Sequence, residues 1–488
     1  MFSEGYKIKE NEYFVNVINN SLIESPDRLL LNMEDEEGNL FSYTRSQFDT
    51  VSRCFYSYIK NQGIKQETTV GLIFNNRFKL AVSILTCIRF GITFTIIGKD
   101  NPLKRSIYQI KDSNSSYIIT DMKLDDDLIS NVNDVINYDI AIEYSKKQGQ
   151  LPSMNLDDVA CICYTSGTTG NPKGVEITYG AITNALIHQN IYLNNFNDEY
   201  PVNAALSIRE TFIVFLYALF YEVYSNYTIF ITNNEQTKNL GFFFDFLMEN
   251  KIEHTFISAN IIDYYLNNFD NPYLKSIYVV GDKVKITKYY EDIDVFVLYG
   301  LTESFTVASY YKVDSDNKPL CIGIPVINTK IYVLDDEYNR CDKNQIGQIA
   351  LSGIQIAKSY INNAEETKRH FIDNPYFDSD SDEEYYQRLF LTGDYGYIGD
   401  DDNLYYTSKE DNQVQIRGQR VEINEITIIL DKIKEVKSSY VLIKNDNQGN
   451  SFLSCFYESD KLSESELRDI LNNELLEYMV PSFIIKLD

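Results

Sequence analysis

Residues 159–174 read VACICYTSGTTGNPKG, and this stretch indicates both the kind of fold and the kind of ligand. Its apolar start, residues 159–163, predicts a buried strand, and the glycine-rich remainder predicts a loop at the end of that strand. Glycine lets backbone N–H groups turn toward an anion, hydroxyl groups donate hydrogen bonds, and lysine adds a positive charge. The loop therefore has the chemistry needed to hold a polyphosphate. Its candidate binding residues are Thr165, Ser166, Gly167, Thr168, Thr169, Gly170 and Lys173.

The loop differs from the Walker phosphate-binding sequence at two positions. Pro172 stands where that sequence has its second glycine, and Gly174 follows Lys173 where a serine or threonine would follow. An ordinary turn rich in glycine, serine and threonine is the alternative. We favour the phosphate-binding interpretation, because glycines, hydroxyls and lysine agree over the whole of residues 164–174.

The composition narrows the functional class. The chain has 488 residues, a net charge of −27 and 44% hydrophobic residues, which is typical of a globular protein with about two to four domains. The negative charge argues against a nucleic-acid or anionic-membrane surface, although one nucleotide could still bind in a local pocket. The longest apolar run is too short to span a bilayer, and the first residues lack a signal-peptide pattern. Seven cysteines without metal-ligand spacing predict free thiols in a cytoplasmic protein.

Helical and strand patterns alternate along most of the chain. The helical segments are residues 47–60 and 79–90, and the short strand segments are residues 69–74, 92–97 and 117–120. This alternation predicts an α/β fold with parallel sheets flanked by helices. From residue 411 the order becomes β-α-β-β-α, which predicts a small α+β domain behind a hinge. We therefore predict a large domain, residues 1–410, a small one, residues 411–488, and an active site between them.

Further motifs follow the glycine-rich loop in order. YGLTE occupies residues 299–303, GQIALSGIQIAKSY residues 347–360, LTGD residues 391–394 and QVQIRGQRVE residues 413–422. With YTSGTTGNPKG, these segments resemble the ANL superfamily of adenylate-forming enzymes. That superfamily comprises the adenylation domains of nonribosomal peptide synthetases, acyl- and aryl-CoA synthetases, and luciferases. The resemblance extends from about Ser25 to the end of the chain.

The resemblance implies that a carboxylic acid and ATP form an acyl-adenylate and pyrophosphate, with Mg²⁺ bound. The loop residues would hold the β- and γ-phosphates. Lys173, Thr302 and Glu303 would be catalytic, with Thr302 at the α-phosphate and Glu303 as the metal ligand. Tyr299 would pack on adenine, and Asp394 would accept hydrogen bonds from the ribose. The other implied nucleotide-binding residues are Gly281, Asp282, Gly300, Tyr406 and Lys409, and the implied hinge is Asp411.

The alignment with the family also places an acid-binding pocket. Its residues are Thr211, Phe212, Phe215, Ser258, Tyr278, Val280, Leu298, Thr306 and Val307. These positions are mostly apolar, so we expect a small or flat uncharged acid. The peptide-synthetase branch binds the substrate's amino group with an aspartate, and Thr211 occupies that position here. A neutral threonine cannot pair with an ammonium group as a carboxylate does.

An aryl, hydroxy, keto or β-amino acid is therefore expected, unless the neighbouring Glu210 is the true equivalent of the family's aspartate. If this stretch is extended, Glu210 and Thr211 face opposite sides and cannot both point into the pocket.

Two more departures concern catalysis. Lys409 stands where the family usually has an arginine against the ribose, so the charge is kept and the forked geometry is lost. The sequence stops at Asp488, before the position of a Gly-Lys motif whose lysine serves adenylation in the family. We expect either an excised part of a longer chain or a chain without that lysine, which would bind ATP but adenylate poorly.

Three functions remain open. We favour an adenylation domain that loads its acyl group on a carrier-protein phosphopantetheine thiol. The alternatives are a free-standing acyl- or aryl-CoA ligase and, from another class, a non-catalytic nucleotide-binding module. We further predict that Lys173 is an exposed loop charge, and that His188, His254 and His370 are structural or surface residues.

Overall fold

The computed structural model describes residues 1–3, 5–66, 68–144, 151–166, 171–194, 196, 202–281, 284–314, 321–409, 413–416, 419–445 and 451–487. The strands, β1 to β25 in chain order, are Leu29–Glu34, Leu40–Thr44, Thr69–Ile73, Thr93–Ile96, Tyr117–Thr120, Asp134–Asn137, Val159–Thr165, Lys173–Thr178, Asn203–Leu206, Thr228–Ile231, His254–Ser258, Ser276–Val280, Asp294–Tyr299, Ser309–Lys312, Ile324–Pro325, Thr329–Leu334, Gly347–Gly353, Phe371–Asp373, Arg388–Ile398, Leu404–Lys409, Gln413–Ile416, Gln419–Glu422, Ser438–Asn445, Ser451–Glu458 and Phe483–Leu487. The α-helices, α1 to α14, are Phe14–Glu24, Arg45–Asn61, Arg77–Phe90, Leu103–Asp112, Asp126–Ile129, Tyr138–Ile142, Tyr179–Tyr192, Ile213–Tyr224, Asn234–Lys238, Leu240–Glu249, Ala259–Asn268, Ala364–His370, Ile423–Lys432 and Glu464–Asn472.

Two large sheets carry most of the fold. One has the strand order β6-β5-β3-β4-β7-β8, and the other has the order β15-β14-β13-β12-β11-β9-β10-β1-β2. Their central strands pair in parallel, and antiparallel pairs occur at the edges. Parallel neighbours need a crossover connection, and helices provide such crossovers here. The predicted α/β class is therefore confirmed.

Local sequence explains where the helices near the first sheet begin and end. Helix α2 covers the predicted segment, and its first turn is closed by a reciprocal capping box between Thr44 and Gln47. Helix α3 starts two residues earlier than predicted, because the Asn76 side chain accepts hydrogen bonds from the first-turn N–H groups. It ends at Gly91, whose φ of 70° is readily available to glycine.

Residues after 412 form their own sheets and their own apolar core. Strands β21 and β22 make a two-stranded sheet, and β23, β24 and β25 make a three-stranded one. Helices α13 and α14 pack Ile426, Leu430, Leu467 and Leu471 into a core with Tyr457. The predicted β-α-β-β-α order was incomplete, because it missed β22 and the parallel edge strand β25.

Two further sequence expectations concern the whole chain. All seven cysteines are free thiols, as predicted. Across the described residues, none of the helices combines the length and the apolar character that crossing a bilayer would need.

Candidate active site

A cavity of about 270 Å³ opens where the parallel strands of both large sheets end. Ile96 and Thr165 are the last residues of β4 and β7 in the first sheet, and Val280 is the last residue of β12 in the second. The turn after β9, helices α4 and α9, the segment after β13, the end of β20 and residues 476–478 also contribute to its wall. Ligands of open α/β sheets bind at the carboxyl ends of the strands. This cavity is therefore the candidate active site.

Many of the residues predicted for the site meet in this cavity, although they are far apart in sequence. The predicted residues that line it are Thr165, Ser166, Thr211, Phe212, Val280, Gly281, Leu298, Gly300, Thr302, Thr306 and Lys409. Gly167, Thr168, Thr169, Gly170, Asp282 and Asp411 lie outside the described residues. Candidate nucleotide-binding and acid-binding positions thus share one chamber, as a reaction between the two substrates requires.

Lys173 does not project from an exposed loop, so that prediction was wrong. Its side chain is 7% exposed and contacts the Glu366 carboxylate. The residue begins strand β8, where it is the register partner of Thr165 on β7. Burial follows from this pairing and from the segment around Tyr360, whose backbone pairs with β8 at Val175.

Glu303 lies in a single 3-10 turn, Thr302–Ser304, at the wall of the cavity. It is buried, and its Oε1 accepts a hydrogen bond of 2.7 Å from the Tyr360 hydroxyl. The described part of the chain contains no group of three or more His, Cys, Asp or Glu side chains that could hold a metal ion. A divalent cation at Glu303 would therefore take most of its ligands from phosphate and water oxygens, as Mg²⁺ commonly does.

Tyr299, Asp394 and Lys409 form a linked polar group beside the cavity. The Tyr299 hydroxyl donates to Asp394 Oδ2 at 2.8 Å, and Lys409 Nζ lies 2.8 Å from Asp394 Oδ1. Burial, reinforced by the charge of Asp394, raises the pKa of Tyr299 well above its usual value, so its hydroxyl stays a donor. Tyr406 lies on β20, the strand that carries Lys409. Lys409 lines the cavity, whereas Tyr299, Asp394 and Tyr406 do not.

Four of the predicted acid-binding residues do not line the cavity. Phe215, Tyr278 and Val307 are at most 1% exposed and belong to the apolar core. Tyr278 has its hydroxyl turned inward, where it donates to the Leu193 carbonyl at 3.0 Å. Ser258 donates to Asn260 at the start of helix α11. The alignment placed these four positions near the pocket, but in the structure their side chains do not reach the cavity.

Glu210 and Thr211 both line the cavity. In an extended strand, only one of the two side chains would point into the cavity. The segment is not extended, because β9 ends at Leu206 and the two residues form a turn before helix α8. Glu210 Oε2 lies 3.7 Å from Nε of Arg77, a guanidinium buried at the start of helix α3. Arg77 also donates to the Ile208 carbonyl, so it holds the turn that carries Glu210 and Thr211.

Gly300 permits a tight return of the chain at the cavity wall. A Cβ atom there would lie 2.1 Å from the carbonyl oxygen of Thr306. Phe305 and Thr306 both have positive φ, 43° and 76°, which is uncommon for residues other than glycine. Strained backbone of this kind often occurs at functional sites. Here it presents Thr306 to the cavity.

Charged side chains of both signs line the cavity. The described side chains that line it include three carboxylates, Asp100, Glu210 and Glu477, and six cations, Arg77, Lys99, Arg105, Arg209, Lys238 and Lys409. Sequence reasoning assigned no function to five of these cations. Lys99 follows the predicted strand at residues 92–97. Its position after a strand of a parallel sheet could have identified it as a candidate binding residue. Four of the six form ion pairs with carboxylates, which leaves Lys99 and Lys238 as the lining cations best placed to meet an anionic ligand.

The three histidines are not part of this chamber. Burial lowers the pKa of His188 and of His254 to about 3, so both are neutral at pH 7. His370 is half-buried, and burial lowers its pKa as well. The interpretation of all three as structural or surface residues fits these positions.

Comparison with known proteins agrees with the motifs. Residues 23–361 match the family of AMP-binding enzymes. Tyrocidine synthase 2 of Brevibacillus parabrevis is 27% identical over 438 residues, which cover 88% of this chain and 12% of that protein. The chain therefore spans only a small part of the curated relative that it matches.

Solved structures show the same fold. NpsA-ThdA of Klebsiella oxytoca, an artificially fused adenylation–PCP di-domain NRPS, gives a TM-score of 0.83 at 17% identity and covers 98% of this chain and 94% of its own. O-succinylbenzoate coenzyme A synthetase (MenE) of Bacillus subtilis, in complex with ATP and magnesium ion, gives 0.70 at 19%, with 97% and 96% covered. With the sequence match and the ordered motifs, these findings show that the chain belongs to the AMP-binding enzyme family, within the ANL superfamily.

Proposed function

We propose that this protein uses ATP to activate a carboxylic acid as an acyl-adenylate, with release of pyrophosphate. The observation that carries the proposal is one cavity at the carboxyl ends of the strands, lined by both sets of predicted residues. In the reaction a carboxylate oxygen attacks the α-phosphorus, and the bond to the β-phosphate oxygen breaks. Both reactants are anions, so charge neutralisation and alignment are what the site must provide.

Different residues would bind different parts of ATP. Thr165 and Ser166 would donate to the β- and γ-phosphates, and Thr302 to the α-phosphate. Asp394, held by Tyr299 and Lys409, would accept hydrogen bonds from the ribose. Gly281 has a φ of 113° at the end of β12, a conformation that permits close approach of a flat base. These roles are the ones that the resemblance implies, and the positions of Thr165, Ser166, Thr302 and Gly281 in the cavity lining support them.

Glu303 fits a magnesium site of one protein carboxylate. Its oxygens are hard donors, and the hydrogen bond from Tyr360 fixes the carboxylate. Magnesium bound there would neutralise charge on the phosphates. A related fold described in complex with ATP and magnesium ion supports these two ligands in general.

The acyl acceptor we favour is the phosphopantetheine thiol of a carrier protein. A similar fold fused to a PCP domain and the match to a part of tyrocidine synthase 2 support it. CoA is the second candidate, supported by the CoA synthetase with the same fold and by Leu301 within the YGLTE motif. In both cases the thiol sulfur attacks the acyl carbon, and AMP leaves.

The acid itself is proposed to be small or flat and uncharged beyond its carboxylate. Thr211, Phe212, Val280 and Leu298 give the chamber its neutral lining. Glu210, which is the carboxylate nearest these residues in sequence, already lies beside the buried Arg77 guanidinium. An ammonium group on the substrate would have to compete with that guanidinium.

We also propose that residues 1–410 and 411–488 are separate domains, with Asp411 as the hinge. The separate apolar core after residue 412 supports this division. A cytoplasmic location is proposed from the seven free thiols.

The test is acid-dependent exchange of labelled pyrophosphate into ATP by the natural full-length protein, followed by thioester assays with a holo-carrier protein and with CoA. Exchange with at least one acid, abolished by Glu303→Gln, is expected. ATP binding without exchange for any acid would favour the non-catalytic nucleotide-binding module. Thioester formation on CoA alone would favour the free-standing ligase.

A further inference from the structure

The clearest contact outside the assigned roles joins Lys173 to Glu366. The lysine ammonium donates to Glu366 Oε2, and the two side chains are only 7% and 13% exposed. The ammonium also lies 5.7 Å from the centre of the Tyr360 ring, which is within the distance of a cation–π interaction. Lys173 thus has a protein anion as partner in a place that excludes most water.

The fold fixes this pair through the backbone. The segment before helix α12 is hydrogen-bonded along β8, with Ile361 N–H donating to the Gly174 carbonyl at 2.8 Å. Asn363 then caps α12 by accepting from the Glu366 N–H. These contacts bring Glu366 over the first residue of β8. Tyr360 lies in the same segment and donates to Glu303, so the pair adjoins the proposed metal ligand.

Electrostatics favour the ionised form of Glu366. Burial alone would raise the pKa of Glu366, but the hydrogen bond and charge of Lys173 outweigh it and leave the pKa below its usual value. Arg369 Nη1 lies 3.6 Å from Oε1, and His370 Nε2 lies 3.6 Å from Oε2. His370 has a lowered pKa, mainly through burial, and is neutral near pH 7. Lys173 is therefore the principal partner of this carboxylate.

Lys173 is close to the cavity without lining it. Its register partner Thr165 does line the cavity, so the ammonium is one strand away from the proposed phosphate position. A buried ammonium needs an anion at every stage, because an unpaired buried charge is costly. Before the nucleotide binds, Glu366 is that anion.

We propose that Glu366 is the resident counter-ion of Lys173, a positioning residue that the incoming pyrophosphate moiety of ATP must partly replace. The inference rests on the proposed function, since it takes the competing anion to be a polyphosphate. The carboxylate keeps the lysine ordered when the phosphates are absent, and it weakens their hold on the lysine when they are present. It thereby makes pyrophosphate easier to release.

The main experiment compares equilibrium binding of MgATP and of magnesium pyrophosphate by calorimetry. Glu366→Gln keeps the shape of the side chain and removes its charge, so we expect about tenfold tighter binding of pyrophosphate, the scale of one hydrogen bond to a charged group. Glu366→Asp keeps the charge on a shorter side chain and should give an intermediate affinity. In a Lys173→Ala background, Glu366→Gln should change neither affinity.

Glu365→Gln is the matched control, because it removes the same charge from an exposed position on the same helix. It should leave the affinities unchanged. In the natural full-length enzyme, Glu366→Gln should lower the KM for ATP without raising kcat, since product leaves more slowly. A purely structural role would change thermal unfolding and leave the affinities alone.

The outcomes separate this inference from the function beneath it. If folded Glu366→Gln, or folded Glu366→Asp when the first variant does not fold, binds pyrophosphate no more tightly than wild type, the role of Glu366 is refuted and the function stands. If wild-type protein binds neither ATP nor pyrophosphate, both proposals are wrong. The same tightening with Lys173 absent would also refute the role, because the effect would not pass through the lysine.

Discussion

Arg105 of helix α4 and Glu425 of helix α13 form a buried ion pair, with Nη1 2.6 Å from Oε1. The side chains are 8% and 1% exposed, and they lie on opposite sides of residue 411. Two other pairs join the same two parts of the chain with the same polarity, Lys104 with Glu474 and Arg209 with Glu477. Each places a cation before residue 411 and a carboxylate after it.

The first prediction follows from that burial. Glu425→Gln leaves the Arg105 guanidinium without its carboxylate, so we expect a loss of about 3 kcal/mol in the free energy of unfolding by urea. Glu474→Gln is the control, because Lys104 is largely exposed and such a pair contributes less than about 1 kcal/mol. Equal losses for the two variants would contradict the assignment of a buried pair.

A second prediction revises the effect of removing Lys173. Since the residue is buried against Glu366, Lys173→Ala should lower the free energy of unfolding by about 1–3 kcal/mol as well as weaken ATP binding. Combining it with Glu366→Gln should restore part of the stability but none of the ATP affinity, because the orphaned carboxylate is then neutral. Chemical denaturation of the two variants measures the first effect. If Lys173→Ala alone were as stable as wild type, the Lys173–Glu366 pair would contribute nothing to the free energy of unfolding.

The third prediction concerns the acid. Pyrophosphate exchange with a panel of amino, aryl, keto and hydroxy acids should show preference for an acid without an amino group, because Thr211 is neutral and Glu210 lies beside Arg77. Glu210→Gln should then change the preference little. A strong preference for an L-α-amino acid that is lost in Glu210→Gln and kept in Thr211→Val would show that Glu210 binds the amine.

The fourth prediction tests the cavity wall. Gly300→Ala places a Cβ against the Thr306 carbonyl, a backbone atom that cannot rotate away, so the wall must shift. We expect a destabilisation of about 1–3 kcal/mol and loss of ATP binding. Gly5→Ala is the control, because nothing lies within 4 Å of the added atom. Wild-type affinity in Gly300→Ala would mean that this turn does not shape the site.

The fifth prediction is a pH dependence. The pKa of His254 is about 3 in the folded chain and near 6.5 when unfolded, so the unfolded chain binds the proton more readily between these values. The contribution of neutral His254 to the free energy of unfolding is fully present above about pH 6.5. It decreases as the pH falls below that value, by up to about 1.4 kcal/mol per pH unit. His188 adds a similar decrease. Urea unfolding between pH 7 and 5.5 measures the slope, and His254→Phe should reduce it. An unchanged slope would mean that His254 is not buried as a neutral ring.

Periodicity and motif order were enough to predict the class of fold and the family. Helix α2, strand β5 and the strand before the glycine-rich loop are local patterns, set by side-chain spacing and by residues such as Thr44 that cap a helix. The hydroxyl-rich loop brought Thr165 forward as a candidate for the site, and the motif order brought Thr302 forward. Turns were harder to predict from the sequence. Whether Glu210 and Thr211 share a face depended on β9 ending at Leu206, which no residue pattern marked.

The sequence by itself determined which groups could hold a polyphosphate and in what order they occur. Only the tertiary structure decided which of them have charged partners. Lys173 and Glu366 are 193 residues apart, and Arg105 and Glu425 are 320 apart. Such pairs arise from strand register and from crossovers that fold distant segments onto each other. The spacing of nearby residues in the sequence predicts neither. For the same reason Tyr278, aligned to the pocket, lies in the core, since the direction of a strand's side chains is fixed by the sheet around it.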